Sequence, residues 1–175
     1  MSVAYEYRPH YTVADYGRWE GNWELIDGLA IDMGPSPFGP HSAMAARLAA
    51  KFVNAVDATG SNQWVVLQEI DWIVDDSTVV RPDLCLIEGP IPEKHLYFPP
   101  LLIVEILSDS TAEKDRNSKF ELYRQQGVLY YLIVDPVNQQ LEIFRLIEKR
   151  YQKEPFQPSF AFTLIDTNTL IVDLG

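Results

Sequence analysis

The chain has one cysteine, Cys85, among 175 residues, so no disulfide can form within it, and no Cys/His spacing suited to zinc occurs. Cys85 sits in an apolar run, which reads as a buried thiol rather than a nucleophile. No apolar stretch approaches the ~18 residues of a membrane helix, and Met1 to His10 lacks the apolar core of a signal peptide. A cytoplasmic location with no membrane partner is therefore expected. Basic charge is scarce as well: 14 Lys and Arg against 25 Asp and Glu leave a net charge of -11. That balance opposes non-specific attraction to nucleic acid, which depends on cations meeting phosphates. Two stretches concentrate what cations there are. One holds Lys114, Arg116, Lys119 and Arg124, the other Lys149, Arg150 and Lys153, and each reads either as a local basic patch or as a solvated face.

What is present predicts one domain over residues 1–175, long enough to bury roughly two-thirds of its unfolded surface. Residues 12–20 read as a short helix, with Thr12 as N-cap and Asp15 at N3. Asp27-Gly28 between two apolar runs is a strong hairpin signal, and Glu24 alternates with Leu25 as an exposed strand residue would. Residues 34–40, rich in Gly and Pro, form a loop. Met44, Leu48, Phe52 and Val56 mark an amphipathic helix over 41–59. Strands follow at 64–74, 79–87 and 103–107, then a helix at 111–126, a strand at 128–134, and antiparallel hairpins from 141 onward. The order gives a mixed α/β (α+β) fold with an added N-terminal hairpin and an antiparallel C-terminal tail. Leu141, Ile143, Phe144, Tyr151, Phe156, Phe160 and Phe162 either fold back on the core or serve a homodimer, which is the expected assembly.

Ile103-Val104-Glu105-Ile106-Leu107 is the stretch around which the rest is organised. An apolar run of this kind reads as a strand buried on both faces, and a carboxylate inside it needs a partner. Asp83, in the preceding apolar strand, converges with Glu105 if the two strands are neighbours. Two such carboxylates suit a hard cation, magnesium or manganese, which takes oxygen ligands and retains water. Lys119 completes a site for metal-assisted phosphodiester hydrolysis. Each residue also has a plainer reading: Asp83 follows Pro82 and fits a strand-end turn, and Lys119 pairs with Asp115 at i,i+4 on a solvated helix face.

Arg81-Pro82-Asp83, Val104-Glu105-Ile106-Leu107-Ser108, Ser110-Thr111, Asp115, Lys119, Tyr123, Gly127-Val128 and Val134-Asp135-Pro136 together resemble the Uma-two restriction endonuclease family of the PD-(D/E)xK nuclease superfamily. Glu24-Leu25-Ile26-Asp27-Gly28 and His41 extend the likeness. The resemblance implies a restriction-endonuclease-like mixed sheet flanked by helices, DNA as partner and magnesium as cofactor. It also implies Asp83 and Glu105 as metal ligands. Where the superfamily places a lysine, two residues after Glu105, this chain has Leu107, so the resemblance implies a relocated lysine, Lys119, fourteen residues after Glu105. Lys114 lies about 140° away on a continuous helix and is expected to point elsewhere. Glu69 and Gln68 are candidates for a further metal ligand or phosphate contact; strand alternation aims one of them at the site, and charge favours Glu69. Glu24 is a weaker candidate. The alternative to a nuclease is a degenerate nuclease fold kept as a binding or assembly module.

Overall fold

Thr12 caps the first helix, α1 (Val13–Tyr16), through the capping box read from the sequence: its Oγ1 accepts the Asp15 N–H at 3.3 Å, and Asp15 Oδ2 accepts the Thr12 N–H at 2.9 Å. The helix ends at Gly17, short of the expected residue 20, and the chain turns so that Trp19 packs edge-on against Tyr11, Tyr16 and Trp23. The computed structural model describes residues 9–34, 38–108, 112–165 and 168–175.

Asp27 and Gly28, with φ of 50° and 76°, make the two-residue turn between β1 (Trp23–Ile26) and β2 (Leu29–Asp32). Glycine suits the second position, where the φ of 76° is one that L side chains rarely adopt and a Cβ would lie 2.4 Å from the His10 ring. Of the expected loop at 34–40, residues 35–37 lie outside the described residues, while Gly39 and Pro40 already open α2 (Gly39–Ala58). Proline suits that first turn, where its missing N–H is not needed. One stripe of α2 is buried: His41, Leu48, Phe52 and Val56.

The expected strands at 64–74 and 79–87 each divide in two: β3 (Trp64–Leu67), β4 (Trp72–Asp75), β5 (Thr78–Val80) and β6 (Leu84–Glu88). The first break falls where Glu69 adopts a left-handed φ of 50°, the second at Pro82, which has no N–H to continue a ladder. Each break carries the chain between two sheets. A four-stranded sheet has the order β2-β1-β5-β4. A six-stranded sheet takes β3 and β6 together with β7 (Leu102–Ile106), β8 (Tyr130–Asp135), β9 (Gln140–Ile147) and β10 (Arg150–Glu154), in the order β10-β9-β8-β7-β6-β3. Its β7 and β8 run parallel, and the connection between them holds α3 (Ala112–Arg116) and α4 (Ser118–Gln125). The expected single helix at 111–126 is thus broken at Asn117, whose φ of -122° and ψ of -79° are not helical; Thr111 lies outside the described residues.

Side chains of β6 to β8 alternate between two apolar layers, which is why these strands read as unbroken apolar runs. Leu84, Leu86, Leu102, Val104 and Leu132 face α2 together with a two-stranded sheet of β11 (Ser159–Thr163) and β12 (Thr169–Asp173). Cys85, Ile103, Tyr131 and Ile133 face α4 and the four-stranded sheet, whose Trp72 stacks on Tyr123 at 6.0 Å. Most of the aromatic tail folds back. Phe162 is fully buried and Phe160 nearly so, Phe144 and Tyr151 pack against the second layer, and Phe156 stays 51% exposed.

Candidate active site

Leu84 pairs with Val104 and Cys85 with Ile103 across β6 and β7. The same register carried one residue further sets Asp83 opposite Glu105, on the face of Cys85. Asp83 lies just before β6, where the ladder ends, and its Oδ2 accepts the Ile106 N–H at 2.6 Å in place of a strand partner. His41, in the first turn of α2, brings Nε2 to 3.3 Å from Asp83 Oδ1.

Glu105 is 3% exposed, and its Oε1 accepts from the Tyr123 hydroxyl at 2.6 Å and from Lys119 Nζ at 2.9 Å. Lys119 and Tyr123 stand one turn apart on α4, which aims both at β7. The Lys119 ammonium also lies 2.7 Å from Glu24 Oε1 and 3.7 Å from Asp115 Oδ1. The pair with Asp115 therefore exists, but on a buried face rather than a solvated one.

Glu24 corrects its expected exposure: it is 0% exposed. It shares its face of β1 with Ile26, and that face is turned toward the second core layer. Its Oε1 also accepts the Arg81 N–H at 2.9 Å, and its Oε2 takes Lys114 Nζ at 2.6 Å. Lys114 is a second correction. An angle taken around one continuous helix does not apply across the break at Asn117, so both lysines reach the same carboxylate. The Arg81 guanidinium is engaged elsewhere, with Nε 2.7 Å from Asp71 Oδ1, and this ties the crossing between the two sheets in place.

Gln68 and Glu69 are both exposed, because the left-handed turn at Glu69 ends the alternation that was expected to separate them. Glu69 stays beside Asp83, with its N–H donating to the Pro82 carbonyl at 3.2 Å. Tyr123 stood in the sequence pattern without an assigned partner, and only its i,i+4 spacing from Lys119 pointed to it; Asp115 was read only as the i,i+4 partner of Lys119. A cleft of about 720 Å³ lined by Met44, Leu48, Leu141 and Phe156 lies on the α2 side of the sheet and includes none of these acids.

Lys119 faces Glu24, Glu105 and Asp115, Lys114 faces Glu24, and Asp83 faces His41. Burial drives the Glu105 carboxyl well above the usual range; Lys119 opposes this, while Asp115, Asp83 and Glu24 add to it. Burial works against the charge of Lys119, but Glu105, Glu24 and Asp115 outweigh it and hold the amine well above its ordinary value. His41 is raised by its contact with Asp83, against the effect of burial. Cys85, buried and near Glu105, is pushed up to about 12 and is inert as a nucleophile.

Among the described residues no group of three or more metal-ligating side chains occurs. Two opposed carboxylates, those of Asp83 and Glu105, nevertheless suit a hard divalent cation that keeps most of its waters.

Glu24 also carries a pH dependence. Burial works against its charge, but Lys119 and Lys114 outweigh it, and the carboxyl is held below its ordinary value. A depressed folded pKa gives stability that is present above the unfolded value of about 4.3 and is lost as pH falls through the folded one. Glu24→Gln should cost about 3–5 kcal/mol at neutral pH, because it leaves the buried lysine charges underpaired. It should also flatten the loss of stability below about pH 4. Urea unfolding at stepped pH, followed by tryptophan fluorescence, checks both.

The family model for Uma2, described as "Putative restriction endonuclease", matches residues 13–168. An uncharacterized protein of Synechocystis sp. is 30% identical over 146 residues, covering 78% of this chain and 74% of its own. The crystal structure of a protein from Anabaena variabilis, described as a putative nuclease belonging to DUF820, superposes with a TM-score of 0.70 at 18% identity. That match covers 86% of this chain and 87% of the other, and at such identity the likeness is one of fold. With nearly its whole length matched by the family model, the chain belongs to the Uma2 family of restriction-endonuclease-like proteins.

Proposed function

We propose that the protein is a cytoplasmic, magnesium-dependent DNA endonuclease that hydrolyses phosphodiester bonds. Asp83 and Glu105 hold the cation, and Lys119 is the fixed positive charge of the site. The observation that carries this reading is the register that sets Asp83 across from Glu105, with the Lys119 ammonium 2.9 Å from Glu105 Oε1. Magnesium or manganese, when bound, supplies an activated water and a Lewis acid for the phosphate.

The chain's own groups do the rest. Asp83 is held by the Ile106 N–H and presents its carboxylate to the cation. Glu105, held by Tyr123 and Lys119, presents its carboxylate from the opposite strand. Lys119 stays protonated at neutral pH, so it stabilises developing negative charge and does not accept a proton. Glu69, exposed beside Asp83, offers a third oxygen donor at the mouth of the site. Leu107, at the position of the superfamily lysine, packs in the second core layer and takes no part.

Cutting both strands of a duplex calls for two sites, and we assign that arrangement to a homodimer, which light scattering at high micromolar concentration checks. The degenerate binding module is the second reading. Lys119 favours it by being 1% exposed and surrounded by three carboxylates. Incubation of the protein with supercoiled, linear and single-stranded DNA in magnesium or manganese separates the two. Cation-dependent cleavage supports the endonuclease, and binding without cleavage of any substrate favours the module.

A further inference from the structure

The buried stripe of α2 contains one polar member, His41, ahead of Leu48, Phe52 and Val56. His41 is 7% exposed, and its Nδ1 is buried with no hydrogen-bond partner. An unpaired buried nitrogen is costly, and an apolar side chain of similar size would fill the same space without that cost. Packing therefore does not account for a histidine here. The other nitrogen does: Nε2 lies 3.3 Å from Asp83 Oδ1.

Asp83 stands where the β6 ladder has ended, so its side chain is not positioned by strand pairing. Ile106 N–H holds one oxygen, Oδ2, at 2.6 Å. A carboxylate held at a single oxygen still swings about its Cβ–Cγ bond. A rigid ring donating to Oδ1 removes that freedom and leaves the remaining lone pairs, roughly one on each oxygen, directed outward. The side chain of Asp83 is 19% exposed, so those lone pairs are open to a ligand.

We infer that His41 is a positioning residue for the cation site: it clamps Asp83 from the α2 side so that the carboxylate meets Glu105 across the strands in one orientation. The inference rests on the cation-binding reading of Asp83 and Glu105 given above. Hydrogen-bonding partners of metal-ligating carboxylates typically contribute 10- to 100-fold to metal affinity.

Two variants test it. His41→Leu removes both nitrogens and keeps an apolar filler, whereas His41→Gln keeps a donor at the position of Nε2. The probe is magnesium alone, titrated calorimetrically into the full chain, alongside the thermal midpoint and the kinetics of DNA cleavage. His41→Leu should unfold at or above the wild-type temperature, bind magnesium roughly 10- to 100-fold more weakly, and lose kcat with little change in KM for DNA. His41→Gln should recover most of the affinity. Wild-type magnesium affinity in His41→Leu overturns the inference, as does an equal loss in His41→Gln or a fall in melting temperature that accounts for the loss. Magnesium binding that is absent in the wild type, or that survives unchanged in both Asp83→Ala and Glu105→Ala, overturns the cation site itself and the role of His41 with it.

Discussion

Lys119→Ala is expected to lower DNA cleavage by roughly 100-fold or more and, at the same time, to destabilise the fold by about 3–5 kcal/mol. The two effects have one origin. The ammonium is 1% exposed and meets Glu24, Glu105 and Asp115 at 2.7, 2.9 and 3.7 Å, so its removal leaves three buried acids without their shared counter-charge. Helix-face pairing with Asp115 alone would give at most about 0.5 kcal/mol and no effect on cleavage. The stability loss has a sign in pH as well. The folded amine titrates well above its ordinary value, so its contribution is complete below the unfolded pKa of about 10.4 and fades only as pH rises through the folded one. Lys114→Ala is the control, since it leaves Glu24 still paired with Lys119 and the Glu105 contacts untouched. It should cost less stability and less activity. Urea unfolding and a nuclease assay on both variants decide the matter, and a larger cleavage loss in Lys114→Ala would transfer the electrostatic role to Lys114.

Asp83→Ala and Glu105→Ala should each abolish calorimetric binding of magnesium or manganese and reduce cleavage on the order of 1,000-fold, since the two carboxylates act as one unit. Their effects on folding should differ. Glu105→Ala removes an acid whose charged form burial disfavours, and Lys119 keeps Glu24 and Asp115 as partners. Asp83→Ala instead leaves the Ile106 N–H without its 2.6 Å acceptor, a loss typically of about 1–3 kcal/mol. A double variant no worse in cleavage than either single one would show the coupling. Equal magnesium affinity in wild type and both variants would remove the site.

The sequence alone determined whatever depends on neighbours in the chain. Asp27-Gly28 specified its turn because few residues adopt the left-handed region at both positions. The central strands were legible because burial on both faces demands unbroken apolar runs, and the same rule made Asp83 and Glu105 conspicuous as acids that need partners. Tertiary structure decided which partners they found. Glu24 looked like an ordinary alternating strand residue, and its burial follows from a contact with Lys114, 90 residues away, that no local pattern encodes. The break at Asn117 redirected Lys114, and the turn at Glu69 put both Gln68 and Glu69 in solvent; each depends on backbone dihedrals that residue type leaves open. His41 carried no local signal beyond its place on an apolar stripe. Its meaning came only when α2 was laid against the end of β6, because the position of an acid's partner in space is set by sheet register and helix docking, not by spacing along the chain.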